Sequence, residues 1–139
     1  METIRLLDCT LRDGGYINDW DFKRKNIRRI MAGLEEAGTD LIEAGFLRDC
    51  AYREDRTLFN SVRELKQILP EGGGRGGYVL MALHDKYDVR KLEENDGTVE
   101  AIRVTFHDYD VDEGLEFGRR VMEKGYRLFV NPINIMGYS

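Results

Sequence analysis

Residues 6–16 read Leu6-Leu7-Asp8-Cys9-Thr10-Leu11-Arg12-Asp13-Gly14-Gly15-Tyr16, and the fold turns on how this stretch is understood. The segment 3–10 (TIRLLDCT) has the makings of a first strand, and polar residues gather where that strand would end. In parallel α/β folds, sites are built at the carboxyl ends of the strands. Arg12 offers donors in a rigid fork, suited to clamp a carboxylate or an enolate oxygen. Asp13 offers a hard anionic oxygen of the kind that Mg²⁺ and Mn²⁺ accept. Gly14 and Gly15 let the backbone turn sharply and come close to a ligand. The same residues would equally suit an arginine–aspartate pair on a surface turn, and composition does not separate the two.

Outward from this loop, strand-like and helix-like segments alternate. Residues 22–37 place Ile27, Ile30, Met31 and Leu34 on one helical stripe, and Gly38 follows where a left-handed C-cap is wanted. A second strand is expected at 40–46 (DLIEAGF). A helix at about 57–69 would carry Leu58, Val62, Leu65 and Leu69 on one face, with Pro70 beyond its end. GYVLMAL at 77–83 is the nearly continuous apolar run of a strand covered on both faces. A short helix near 86–94 and a strand at 99–106 (VEAIRVTF) come next. Asp110 and Glu113 have capping-box spacing, so a helix is expected at about 111–124, closed by Gly125. The last strand is 126–131 (YRLFVN).

The pattern βαβαβαβαβ predicts an α/β domain over 1–139, with about five parallel strands and four crossover helices. Two architectures fit it. One is an open, doubly wound sheet of flavodoxin type; the other is a partial TIM barrel, an arc of a (β/α)8 barrel that would need ~250 residues to close. Periodicity does not choose between them.

The composition narrows the function. Of 139 residues, 42% are apolar and 34% charged, a globular balance, and the net charge of −5 argues against a nucleic-acid partner. No apolar run is long enough for a membrane span, and the first residues lack a signal-peptide layout. Cys9 and Cys50 form no CxxC pair, so neither a disulfide framework nor a zinc site is expected, and a cytoplasmic location is the default.

The segment LLDCTLRDGGY resembles the strand-1 signature of the metal-dependent family that contains hydroxymethylglutaryl-CoA lyase, 4-hydroxy-2-oxovalerate aldolase and the isopropylmalate and homocitrate synthases. LIEAGF at 41–46 is similar to the family's strand 2, and FVNPINIMGYS at 129–139 to its strand 5 and the loop beyond. The resemblance implies the barrel rather than the flavodoxin sheet. It implies that Arg12 stabilises an enolate-like oxygen, that Asp13 binds Mn²⁺ or Mg²⁺, and that Glu43 belongs to the active-site carboxylates. Asn131 and Asn134 would line the substrate site or simply cap the strand, and His107 at the end of strand 4 would either face the substrate, a small 2-oxo acid or its hydroxy adduct, or be a solvated strand end. The reaction implied is carbon–carbon bond cleavage or formation beside a carbonyl.

The sequence also departs from that pattern. The family completes its metal site with a His-x-His pair from a later strand, whereas His84 and His107 are not so paired. No histidine follows the Arg12-Asp13-Gly14 run, which leaves the base unassigned. The expectation is therefore the N-terminal half of a barrel, truncated, with an incomplete metal site and no activity alone. Cutting a barrel there would leave two strand edges and an inner sheet face open to water, which predicts self-association, most simply as a two-fold dimer. The rival is a non-catalytic, flavodoxin-like binding module. The glycine-rich run 72–77 contains a literal G-x-G-x-x-G, but it follows a helix and precedes a strand, the reverse of a dinucleotide fingerprint. Cys9, with no histidine base near it in sequence, reads as a small buried apolar residue.

Overall fold

The strands are β1 (Leu7–Asp8), β2 (Leu41–Leu47), β3 (Leu58–Phe59), β4 (Gly77–Ala82), β5 (Ala101–Phe106) and β6 (Arg127–Pro132). All pair in parallel, in the order β1-β2-β4-β5-β6, with the two-residue β3 attached beside β2. The computed structural model describes residues 3–71 and 77–138; the glycine-rich run, Gly77 apart, lies outside the described residues. A flavodoxin sheet reverses its strand order at a switch point, and this one does not. The sequential order is that of a half-barrel.

The helices are α1 (Thr10–Asp13), α2 (Gly15–Asn18), α3 (Arg24–Glu36), α4 (Val62–Lys66) and α5 (Val111–Glu123). Ile27 and Met31 of α3, Leu65 of α4, and Phe117 and Val121 of α5 pack against Ile42, Leu80, Ile102 and Val104 on the outer sheet face, forming the main core. Alternate residues of the same strands point inward. Leu41, Val79 and Ala101 make an apolar layer there, flanked by Leu7 and Phe129. Trp20, Phe46, Leu58 and Met81 form a separate inner cluster.

Four local readings need correction. The first strand is two residues rather than eight: only Leu7 and Asp8 pair with β2, and Arg5 is drawn to Glu100 at 2.6 and 2.8 Å. The second helix starts at Val62, not near 57, and Leu58 lies in β3. The stripe was misleading because Leu58 is buried as a strand residue; the helix is instead opened by a Ser61–Glu64 capping box. The third crossover has only a 3₁₀ turn at Val89–Lys91. Asn95 and Asp96 accept from the amides of Gly97 and Thr98 at 2.9 Å each, and these tight turns compete with helix. Asp110 does precede α5 but forms no capping box, since its carboxylate is taken by His84.

The inner face also behaves differently from expectation. Val79 and Ala101 are fully buried, clustered with Leu41 and packed against Leu7 and Phe129. Exposed apolar groups include Ile4 and Leu6 beside β1 and Val130, Ile135 and Met136 at or beyond β6, besides Ile17, Leu115 and Met122 on the helices.

Candidate functional site

The loop that follows β1 is fixed from several sides. Asp8 accepts from the backbone amide of Thr10 at 2.9 Å and from its hydroxyl at 3.1 Å, turning the chain into α1. Leu11 is fully buried in the outer core. The carbonyl of Leu11 accepts from the Thr57 hydroxyl at 2.7 Å, and the carbonyl of Arg12 accepts from Trp20 Nε1 at 2.7 Å. A Cβ on Gly15 would lie 1.9 Å from the indole, so Trp20 can close over the loop only because residue 15 is glycine. These contacts aim Arg12 at β2.

There it meets Glu43, a carboxylate with no solvent exposure. Arg12 Nε donates to Glu43 at 2.5 Å, and Arg12 Nη1 donates to Asp13 at 2.9 Å. Arg103, on β5, donates to both Glu43 oxygens at 3.1 and 3.3 Å and, through Nη2, to Asn131 on β6 at 2.8 Å. Asn131 in turn donates to the Thr105 hydroxyl at 3.2 Å. A buried carboxylate is tolerated when paired and hydrogen-bonded, and Glu43 has two guanidiniums. Burial alone would pull the Arg12 guanidinium's pKa down, but the hydrogen bond and charge of Glu43 outweigh it and the net direction is up. Among the described residues Arg12 Nη2 donates to nothing, so a rigidly held cation keeps open donors at the carboxyl edge.

The register makes this network possible. A bulge at Glu43–Gly45 interrupts the β2–β4 pairing, and Gly45 takes φ 154°. A Cβ there would be 2.0 Å from the Thr57 carbonyl, which receives the Phe46 amide at 3.1 Å. The glycine thus lets residues 57–59 dock beside β2, which also places Thr57 against Leu11.

Of the residues singled out in the sequence, Arg12, Asp13, Glu43 and Asn131 fall into one connected network. Asn134 lies exposed in the turn after β6. His107 stacks on Tyr109 with ring centroids 4.8 Å apart, and its amide donates to Asp110 at 2.6 Å. His84 Nε2 lies 2.8 Å from the same carboxylate, which ties the end of β4 to the start of α5. Arg103 was missed, although a lone arginine amid Ala101, Ile102, Val104 and Phe106 is a legible signal. Burial, followed by the charge of Glu43, pushes the Cys9 thiol up, which agrees with an unreactive side chain. A cleft of about 840 Å³ opens between the 3₁₀ turn and α5, where the crossover lacks a full helix; it lies in the helix layer, away from Arg12.

The described residues do not assemble a metal site. No group of three or more histidine, cysteine or acidic side chains is placed to hold an ion among them. Asp13 is largely exposed and could give one ligand, while Glu43 is committed to two arginines.

Comparison with known proteins bears on this arrangement. No protein-family model matches the chain. A stretch of 42 residues, 30% of the chain, is 43% identical to a 4-hydroxy-2-oxovalerate aldolase of Geobacillus genomosp. 3 and corresponds to 12% of that protein. The fold superposes on the N-terminal domain of an inferred aldolase from Bacteroides vulgatus with a TM-score of 0.73 over 93% of this chain, at 24% identity. The chain resembles the N-terminal part of an aldolase. It spans 44% of the structural neighbour's length. Among the described residues no helix is long and apolar enough to cross a membrane.

Proposed function

We propose that this chain carries the arginine–carboxylate part of a carbon–carbon lyase site, acting on a small 2-oxo acid or its hydroxy adduct. The observation that carries the reading is Arg12, held on one side by buried Glu43 and left with open donors at the carboxyl edge. Breaking a carbon–carbon bond beside a carbonyl moves negative charge onto the carbonyl oxygen. A cation fixed before the reaction begins stabilises that charge without reorganising. Glu43 and Arg103 position the guanidinium, and Asn131 braces Arg103 from the neighbouring strand.

A divalent ion, Mn²⁺ or Mg²⁺, belongs to this reaction class, where it acts as a Lewis acid on the oxo group. Asp13 would be one of its ligands. The described residues do not fit the ion by themselves, and we assign the histidine ligands and the catalytic base to a region outside this chain. The chain alone is accordingly proposed to be inactive, cytoplasmic and self-associating through its apolar edges. The test is release of pyruvate from 4-hydroxy-2-oxovalerate by the full gene product, with and without Mn²⁺, beside the 139-residue chain. Metal-dependent release by the former and none by the latter is expected; equal activity of the two would refute the reading.

A further inference from the structure

A third arginine stands at the carboxyl end of β2, outside the Glu43 network. Arg48 follows the strand directly, and its amide is fixed by the Phe59 carbonyl at 2.8 Å. Its guanidinium lies over two rings, 5.0 Å from the Phe46 centroid and 5.1 Å from that of Trp20. Among the described residues it forms no ion pair and its side chain donates no hydrogen bond, and Nε is buried without an acceptor. Among the described residues Arg29 and Arg63 also have no side-chain partner, but they are exposed on helix surfaces where water solvates them. Arg48 is partly buried, like Arg12 and Arg103, and each of those has its carboxylate. The two rings compensate a desolvated cation only in part.

The same Phe46 ring carries Arg12, whose Cζ lies 5.7 Å from the centroid. The two guanidiniums therefore share one aromatic support at the carboxyl edge, one committed to Glu43 and the other without an anion. We propose that Arg48 seats a second anionic group of the substrate, a carboxylate or a phosphate, remote from the oxo group that faces Arg12. This rests on the proposed function and narrows its substrate class to acids bearing a further anion. The guanidinium, supported by the two rings, offers such an oxyanion its Nη donors, since Nε is buried.

Trp20, the one tryptophan of the sequence, stacks on Arg48 and donates to the Arg12 carbonyl, so its fluorescence reports on both. The experiment titrates the full gene product with pyruvate, 2-oxoglutarate and inorganic phosphate, comparing wild type with Arg48→Gln, Arg48→Lys and Arg12→Gln. The wild type is expected to prefer 2-oxoglutarate over pyruvate, and Arg48→Gln to reduce that ratio about tenfold, the loss of one charge-assisted contact. Arg48→Lys should recover part of the ratio. Competition by phosphate against 2-oxoglutarate would identify a phosphorylated substrate, and its absence a dicarboxylic one. An unchanged ratio in Arg48→Gln overturns the proposal, as does a wild type that binds neither 2-oxoglutarate nor phosphate. A lowered melting temperature with an unchanged ratio would mean that Arg48 only props up Trp20. If Arg48→Gln abolishes phosphate or 2-oxoglutarate binding while Arg12→Gln alters nothing, the anion seat stands and the lyase reading falls.

Discussion

Replacing Glu43 by glutamine removes one negative charge from the centre of the network and almost no volume. Glu43 has no exposed surface, and the side chains of Arg12 and Arg103 are only 12% and 19% exposed. The substitution leaves two partly buried guanidiniums facing a neutral amide, whose NH₂ group repels one of them. Removing one member of a buried ion pair costs about 3–5 kcal/mol. The arginines reach some solvent, so the lower end, about 3 kcal/mol, applies here. That is a large share of the ~5–15 kcal/mol that holds a domain together. At a urea dependence of ~1–3 kcal/mol per molar, the midpoint should fall by about 1–3 M. Urea melts followed by Trp20 fluorescence and far-ultraviolet circular dichroism would measure it. Arg103→Gln should cost less, because Arg12 still neutralises Glu43. A midpoint for Glu43→Gln within about 0.3 M of wild type, at an unchanged slope, would refute the claim that this carboxylate is held by the two arginines.

Tyr126 has a buried hydroxyl with no partner among the described residues, so Tyr126→Phe should stabilise the fold by up to ~1 kcal/mol, read from the same urea melts. Burial, before any neighbouring charge, raises the phenols of Tyr78, Tyr87 and Tyr126. Each is neutral in the fold at a pH where the unfolded chain has begun to ionise, so their contribution is complete below the ordinary phenol value of ~10 and is lost as pH rises above it. Thermal melts between pH 9 and 12 should show that loss, with a shallower slope in Tyr126→Phe; a flat profile would contradict it. The exposed groups at the sheet edges, Ile4, Leu6, Val130, Ile135 and Met136, predict self-association of the chain. Sedimentation equilibrium at micromolar concentration should give a multiple of 16.1 kDa, and a clean monomer would oppose it.

The parallel α/β pattern was legible because its signals are local and strong. GYVLMAL announced β4, and the stripe of Ile27, Ile30, Met31 and Leu34 announced α3. The Thr10–Gly15 run pointed to the carboxyl edge before any geometry was known. The misreadings came from long-range pairing. Leu58 belongs to a strand because Gly45 opens a bulge thirteen residues earlier, and no window of sequence links the two. Asp110 forgoes its cap because His84, from the turn after β4, and the His107 amide occupy its carboxylate. The partners of Arg103, and the absence of one for Arg48 among the described residues, are not legible for a related reason. An arginine's partner, or its lack of one, is a property of the assembled sheet.

We propose that Arg12, braced by Glu43, stabilises a developing enolate. This is tested most directly by the rate at which the full gene product releases pyruvate from 4-hydroxy-2-oxovalerate with Mn²⁺ present, in wild type and in Arg12→Ala. Turnover by the wild type is expected, with a loss of about 10²–10³ in kcat in the variant, the effect of removing one donor to an oxyanion, and an unchanged circular dichroism spectrum. A wild type that cleaves no 4-hydroxy-2-oxo acid, or an Arg12→Ala variant as fast as its parent, would contradict it.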